Sequence, residues 1–386
     1  MKLLRITTVP ISLRILLKGQ LEFMVANGIE VLTVSSSGPD VSSLRVPHKE
    51  VLMTRSITPI RDFVALIRLV IIIWRFQPDI VHTHTPKAGL LGMLAAWLCR
   101  VPKRLHTVAG LPWLESQGLR RWLLKQMEAL TFLSSTQVLV NSAGLKKILN
   151  AELPRIDKEL LVLGNGSTNG IDVTYFSLTE QIQNQARQLR SELVISQSDF
   201  VFCFIGRLVV HKGIIELLTA FDHLRQVNSN VKLFLVGRIE EGRESLPSGY
   251  LERIKAGNGI VAPGLVEDVR PWLAAADAFV LPTYREGFPN VLLQAGCMGL
   301  PVIATNINGC NEIIENESTG LLIEPKNTQM LLSAMTRLFR SNNERAIFGL
   351  KLKESVLNNY STETIWNELL ALYKKPITRG KSIFNN

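Results

Sequence analysis

One feature constrains this chain more than any other: short, unbroken apolar runs alternate with longer segments of helical spacing from end to end. In the first half the runs are LLRIT (3–7), EVLTV (30–34), DIVHTH (79–84), RLHTV (104–108), QVLVN (137–141) and LLVLG (160–164). Helices are expected between them, near 13–27, 60–76, 87–99, 119–133 and 142–151. The second half repeats the plan with FVFCFIG (200–206), VKLFLVG (231–237), GIVAP (259–263), AFVLP (278–282), PVIAT (301–305) and GLLIE (320–324). Runs that do not alternate in and out belong to strands covered on both faces, which is the condition of a parallel sheet. Strand–helix alternation makes such a sheet doubly wound, and two successive series make two of them. A length of 386 residues, too great for one ordinary core, agrees. The expected architecture is α/β, with two Rossmann-like doubly wound domains facing across a cleft. They span 1–176 and 200–359. The polar stretch 177–199, rich in Gln and Ser, is expected to link them, and a C-terminal helix near 360–375 to pack back on the first.

Composition narrows the class. A hydrophobic content of 46% with 20% charged residues excludes a disordered chain or a coiled coil. Cys99, Cys203, Cys297 and Cys310 are far apart and form no C-x-x-C pair, which argues against a disulfide scaffold or a zinc site and suits a reducing compartment. The net charge of +10 is uneven. Residues 1–170 hold 21 basic and 11 acidic side chains, and the remainder holds 22 of each. Such a field draws an anionic surface: phospholipid, nucleic acid or a phosphorylated substrate. The start, MKLLRITTVPISLRILL, is broken by Arg5 and Arg14 and does not read as a signal peptide. No run of about 18 uncharged apolar residues offers a bilayer span. In IRDFVALIRLVIIIWRF (60–76), Arg61, Arg68 and Arg75 recur every seven residues beside Trp74. This segment is either wedged between the sheet and its neighbours or lies on a membrane as a basic amphipathic face. LRRWLLKQM (119–127) repeats the chemistry with Arg120, Arg121, Trp122 and Lys125.

Ligands of doubly wound sheets sit beyond the carboxyl ends of the strands, so the loops there carry the chemistry. After AFVLP comes T-Y-R-E-G-F-P-N-V-L-L-Q-A. Pro289 stands where a helix would begin and Gly287 allows a tight turn. The unspent amides of a helix start suit phosphate or hydroxyl oxygens. Glu286, just before the turn, is suited to accept hydrogen bonds from sugar hydroxyls. After strand 200–206 comes G-R-L-V-V-H-K-G, with Arg207 and Lys212 between Gly206 and Gly213. Two cations beside exposed amides suit a diphosphate.

These two motifs, in this order in the C-terminal half, resemble the retaining GT-B glycosyltransferases of family four. PDIVHTHTPKAG, HTVAGLPW, GNGSTNGID and NINGCNEII resemble bacterial members that build capsule, O-antigen or glycoprotein glycans. The resemblance implies a nucleotide-sugar donor, UDP by family frequency, held mainly by the second domain. It implies Arg207 and Lys212 on the diphosphate and Glu286 on the transferred sugar, with Gly206, Gly287, Phe288, Asn290, Val291 and Gln294 lining the donor. The two basic segments in the +10 half favour peripheral contact with anionic lipid on the cytoplasmic face of the membrane, which fits a polyprenyl-diphosphate-linked or glycan acceptor.

The chain departs from the family pattern in three places. Gln294 stands where the family places a second acid on the ribose, and an amide offers one acceptor and one donor instead of two acceptors. Ala109 stands where many members carry a histidine, with His106 three residues earlier. VPISL replaces an N-terminal Gly-Gly loop. His106 is open to two readings, a sugar contact or a packed strand histidine. His82 and His84 share a strand face without a third ligand, which disfavours zinc, and His84 is a possible acceptor contact. No D-x-D occurs, so neither a metal nor another cofactor is expected. A UDP-sugar 2-epimerase on the same architecture remains an alternative. A nucleic-acid-binding protein ranks low, since no recognition motif for nucleic acid is present.

Overall fold

The computed structural model describes residues 1–376 except 55, 155, 157, 241 and 243. They divide into two compact units. The first holds residues 1–170 together with the C-terminal segment from Thr362, and the second holds Ile171–Ser361.

The first sheet contains β1 (Lys2–Ile6), β2 (Glu30–Ser35), β3 (His48–Glu50), β4 (Ile80–His84), β5 (Lys103–Val108), β6 (Gln137–Val140) and β7 (Leu160–Val162). Their spatial order is β3-β2-β1-β4-β5-β6-β7. The second contains β8 (Phe200–Ile205), β9 (Val231–Val236), β10 (Ile260–Gly264), β11 (Ala278–Leu281), β12 (Val302–Thr305) and β13 (Leu321–Ile323), in the order β10-β9-β8-β11-β12-β13. Every named pairing is parallel. Central strands such as β8, FVFCFI, are buried at every residue, which explains why they carry no alternation. In each unit the first strand lies mid-sheet. The chain winds outward on one side of it, then returns and winds outward on the other. The reversal falls between β1 and β4 in the first unit and between β8 and β11 in the second, and such switch points are where these sheets bind ligands.

Three elements differ from the sequence reading. Residues 177–199 contain the helix Glu180–Glu192, whose Ile182 and Ala186 are buried in the second unit's core, so this stretch is part of that unit and not a linker. Its polarity is that of an amphipathic helix with a narrow apolar stripe. The single helix expected over 13–27 is two, Pro10–Leu16 and Gln20–Ala26, because Gly19 between them takes φ 77°. Strand β3, short and polar at an edge, gave no apolar run to detect. The helix Thr362–Lys374 packs in the first unit, where Leu369, Leu370 and Tyr373 join the core against Leu3 and Ile80.

Candidate active site

The two C-terminal motifs meet at the switch point of the second sheet. The loop after β8 runs from Gly206 through a 3-10 turn, Val210–Lys212, to Gly213, which opens the helix Ile214–Val227. Gly213 takes φ 72°, and a Cβ built on it would fall 2.0 Å from the carbonyl oxygen of Pro282, in the loop after β11. Backbone therefore lies directly on backbone here. His211 O accepts from Tyr284 N at 2.8 Å and from Thr283 Oγ1 at 3.3 Å, which joins the loops at a second point.

This contact sets the charged groups. Lys212 Nζ donates to Glu286 Oε1 across 74 residues of sequence, and each side chain is only about 15% exposed. Arg207 is exposed; it donates to Glu240 Oε2 at 2.8 Å and to His211 Nε2 at 3.4 Å. Arg285 donates to Glu244 Oε1 at 2.7 Å. Glu244 Oε2 lies 2.8 Å from His211 Nδ1 without the alignment of a hydrogen bond. Burial, and then the nearby Arg285 charge, lower the His211 pKa, so this imidazole is neutral at pH 7 and can accept from Arg207. The site thus holds Arg207, Lys212 and Arg285 against Glu240, Glu286 and Glu244. An anion that displaces the carboxylates from Arg207 and Lys212 finds two cations on one loop.

The helix Asn290–Cys297 begins directly after this loop. Pro289 is its N-cap, one position earlier than the sequence reading placed it. Asn308 Nδ2 donates to the carbonyls of Glu286 and Gly287, each at 3.2 Å, and so fixes the turn from a third strand's loop. Phe288 packs on the Tyr360 ring at 5.7 Å and, like Val291, lies partly buried against the core. Gln294 is half-buried on the same helix. On Tyr284, burial and the hydrogen bond to Glu216 push the phenol pKa up and keep it protonated.

Of the residues singled out in the sequence, Gly206, Arg207, Lys212, Glu286, Gly287, Asn290 and Gln294 share these elements of the second unit. His84 and His106 do not; they sit in the first unit, on opposite faces of its sheet, since His84 pairs with Thr107 and His106 with Thr83. His106 bonds Thr83 Oγ1 at 2.8 Å and lies tightly under Gly89, and burial lowers its pKa to about 4. That is a packed strand histidine. His211, Glu240, Glu244, Arg285 and Asn308 were missed. His211, Arg285 and Asn308 lay inside those motifs without an assigned role, and nothing in the spacing marks the two glutamates.

Among the described residues no group of His, Cys, Asp and Glu could hold a metal ion. No helix among them is long and apolar enough to cross a membrane.

Comparison with known proteins gives one consistent picture. Residues 199–341 match the family model "Glycosyl transferases group 1", and residues 24–166 match "Glycosyl transferase 4-like domain". The chain is 31% identical over 375 residues to the capsular polysaccharide biosynthesis glycosyltransferase CapM of Staphylococcus aureus, covering 96% of both proteins. It is 29% identical to the UDP-Gal:alpha-D-GlcNAc-diphosphoundecaprenol alpha-1,3-galactosyltransferase of Escherichia coli, over 83% of this chain and 81% of that protein. HepE of Anabaena, solved in complex with UDP, superposes with a TM-score of 0.77 at 18% identity, over 96% of this chain and 99% of that one, and shares the GT-B fold.

Proposed function

The chain belongs to the group 1 glycosyltransferases, and from that premise we propose that it moves a sugar from a UDP-sugar to a lipid-linked acceptor, with retention of configuration, in cell-surface polysaccharide assembly. The observation that carries the reading is the direct contact of Lys212 with Glu286 at the switch point of the second sheet. It sets a cation for the leaving diphosphate one hydrogen bond from an acid for the sugar hydroxyls. The bond from the anomeric carbon to the diphosphate oxygen breaks, and a bond to the acceptor oxygen forms. Arg207 and Lys212 offset the charge that grows on the leaving group. The acceptor proton passes to the departing phosphate, so no protein base is needed. These two cations supply the charge that a divalent ion would otherwise bring, and transfer is expected to persist in chelator. Gln294 is assigned to the ribose. The Escherichia coli relative is named for UDP-Gal as donor and a diphosphoundecaprenol-linked acceptor, which supports UDP and a polyprenyl-linked acceptor here.

A lipid-borne acceptor calls for a surface that meets the bilayer. The helix Pro59–Phe76 buries Ala65, Leu69 and Ile73 and exposes Phe63, Ile67, Ile71 and Trp74, with Arg61, Arg68 and Arg75 also exposed. The helix Gly118–Ser134 exposes Leu119, Trp122 and Leu133. Its Arg121 and Lys125 pair with Glu152, so Arg120 is the basic group it leaves toward solvent. Large apolar side chains beside arginines suit an anionic membrane surface. These exposed faces support the reading of a peripheral enzyme on the cytoplasmic leaflet. The test is incubation with a panel of UDP-sugars, with and without a polyprenyl-diphosphate-linked glycan, together with flotation on anionic and neutral vesicles. Sugar transfer with retained configuration, and salt-sensitive binding to anionic vesicles alone, are expected. If no UDP-sugar is transferred or hydrolysed, the donor assignment fails. Absence of binding to anionic vesicles at low salt removes the membrane.

A further inference from the structure

At the switch point of the second sheet the charges of the described residues balance. Arg207, Lys212 and Arg285 stand against Glu240, Glu286 and Glu244. A diphosphate adds about two negative charges to that balance. The carboxylates it displaces belong to the chain and stay nearby. Such an excess in a partly buried place favours any group there that can gain a positive charge.

His211 is that group, since an imidazole gains its charge nearer pH 7 than a carboxylate loses its own. It is buried in the 3-10 turn between Arg207 and Lys212. Glu244, and Glu240 through Arg207, face it from the loop after β9, and Arg285 faces it from the loop after β11. Tyr284 on that last loop brings no charge, because its phenol is held protonated on Glu216. A guanidinium can only donate, so His211 Nε2, 3.4 Å from Arg207 Nη2, is an acceptor. The one proton of the neutral ring is therefore on Nδ1, 2.8 Å from Glu244 Oε2. Burial first, then the Arg285, Lys212 and Arg207 charges, oppose a second proton, and Glu244 favours one.

A diphosphate on Arg207 and Lys212 offsets two of the three cations that oppose that proton. It also draws Arg207 off Nε2, which leaves a buried acceptor with nothing to accept from. One proton from water meets both demands: it gives Nε2 a hydrogen and the site a positive charge. We infer that His211 is a proton-linked positioning residue, which holds Arg207 while neutral and, as the donor diphosphate binds, takes up a proton on Nε2, releases Arg207 and stands behind the ligand as an imidazolium. The inference rests on the reading of these loops as the donor site.

The test uses the full chain and UDP as the probe. The chain has six histidines, so carbon-13 labelling of histidine resolves the His211 ring, identified by its loss in His211→Gln. Saturating UDP should raise the midpoint of its titration by about one pH unit or more. UDP should bind the native chain about 10-fold more tightly than His211→Gln at about pH 6, and equally at about pH 8, because the added proton favours binding only where it is taken up. The terminal phosphate of UDP titrates in the same range, but equally for both proteins, so the ratio isolates His211. A further check needs no variant: calorimetry of UDP binding to the native chain at about pH 7.5, in HEPES and in Tris, should show net proton uptake. UDP binding with an unmoved His211 titration, without proton uptake, or with the same native-to-variant ratio at both pH values would overturn the inference and leave the donor site standing. No UDP binding at either pH would remove the donor site, and the inference with it.

Discussion

Gly213→Ala tests whether the joined loops make the site. The substitution adds one methyl group, and the structure says what it meets: the carbonyl oxygen of Pro282 at 2.0 Å, where ordinary contact begins at 3.4 Å. The loops must therefore part by about 1.4 Å, since backbone cannot rotate out of the way as a side chain can. The residue must also hold φ 72° with a Cβ, which costs about 1–2 kcal/mol by itself. Together with the forced shift, a loss of about 2–4 kcal/mol is expected, or roughly 4–15 °C in Tm for a unit of this size. The functional loss should be larger than the stability loss suggests. Lys212 precedes Gly213 directly, and Glu286 lies four residues beyond Pro282, so the shift is applied between the two groups that must act together. A displacement of about 1 Å at a reacting centre can lower the rate about 100-fold. The assay is release of UDP from the donor in the presence of acceptor, with circular dichroism to show that the variant is folded and thermal unfolding to give Tm. A folded variant with a lowered Tm and transfer reduced about 100-fold is expected. Unchanged Tm together with unchanged turnover would refute both the packing argument and the assignment of the site to these loops.

Lys212→Ala should lower kcat about 100- to 1000-fold, because the lost contact strengthens as the diphosphate departs, and should also lower Tm, because Glu286 is left unpaired; turnover near normal would move the diphosphate elsewhere. Gln294→Glu should be tolerated and should tighten UDP binding, measured by calorimetry; an inactive variant would show that this position does not serve the ribose. Glu128 is buried on the helix Gly118–Ser134, and burial pushes its carboxyl up to about 7 from 4.5. A raised pKa in the folded state means that its contribution is present below pH 4.5 and lost as pH rises through 7, up to about 3 kcal/mol. Glu128→Gln should therefore gain Tm over the native chain at pH 8 and little at pH 5; an equal difference at both would refute this.

Where the sequence was legible, a local pattern was enough. Strand β8 reads as FVFCFI because both its faces are covered, and no knowledge of its neighbours is needed to see that. The helix Glu180–Glu192 failed the same test for a physical reason. Its core contact rests mainly on Ile182 and Ala186, too few apolar positions to stand out from a polar stretch. The loops that carry Arg207, Lys212 and Glu286 announced themselves by glycine, proline and charge at strand ends. Their partners did not. Glu240 and Glu244 lie in the loop region after β9, and they meet Arg207 and Arg285 because that strand sits beside β8 in the sheet. Arg5, His82 and Tyr373 are the extreme case: three residues on two strands and the last helix, joined only by register and packing. Even so, the sheet order explains which loops had to be chosen. The first strand of each series ends mid-sheet, and only the loops after it and after the strand that follows the reversal diverge to opposite faces. In the second unit those are the loops after β8 and β11, and the conspicuous motifs stand on both. In the first unit they follow β1 and β4, where the conspicuous residues are Arg5 and His84, one position or less from the strand end. The same topology therefore marks two polar centres. One is open and held together by carboxylates that a ligand can displace. The other is buried, with a cation and no carboxylate at all, and that contrast supports the proposed donor site in the second unit.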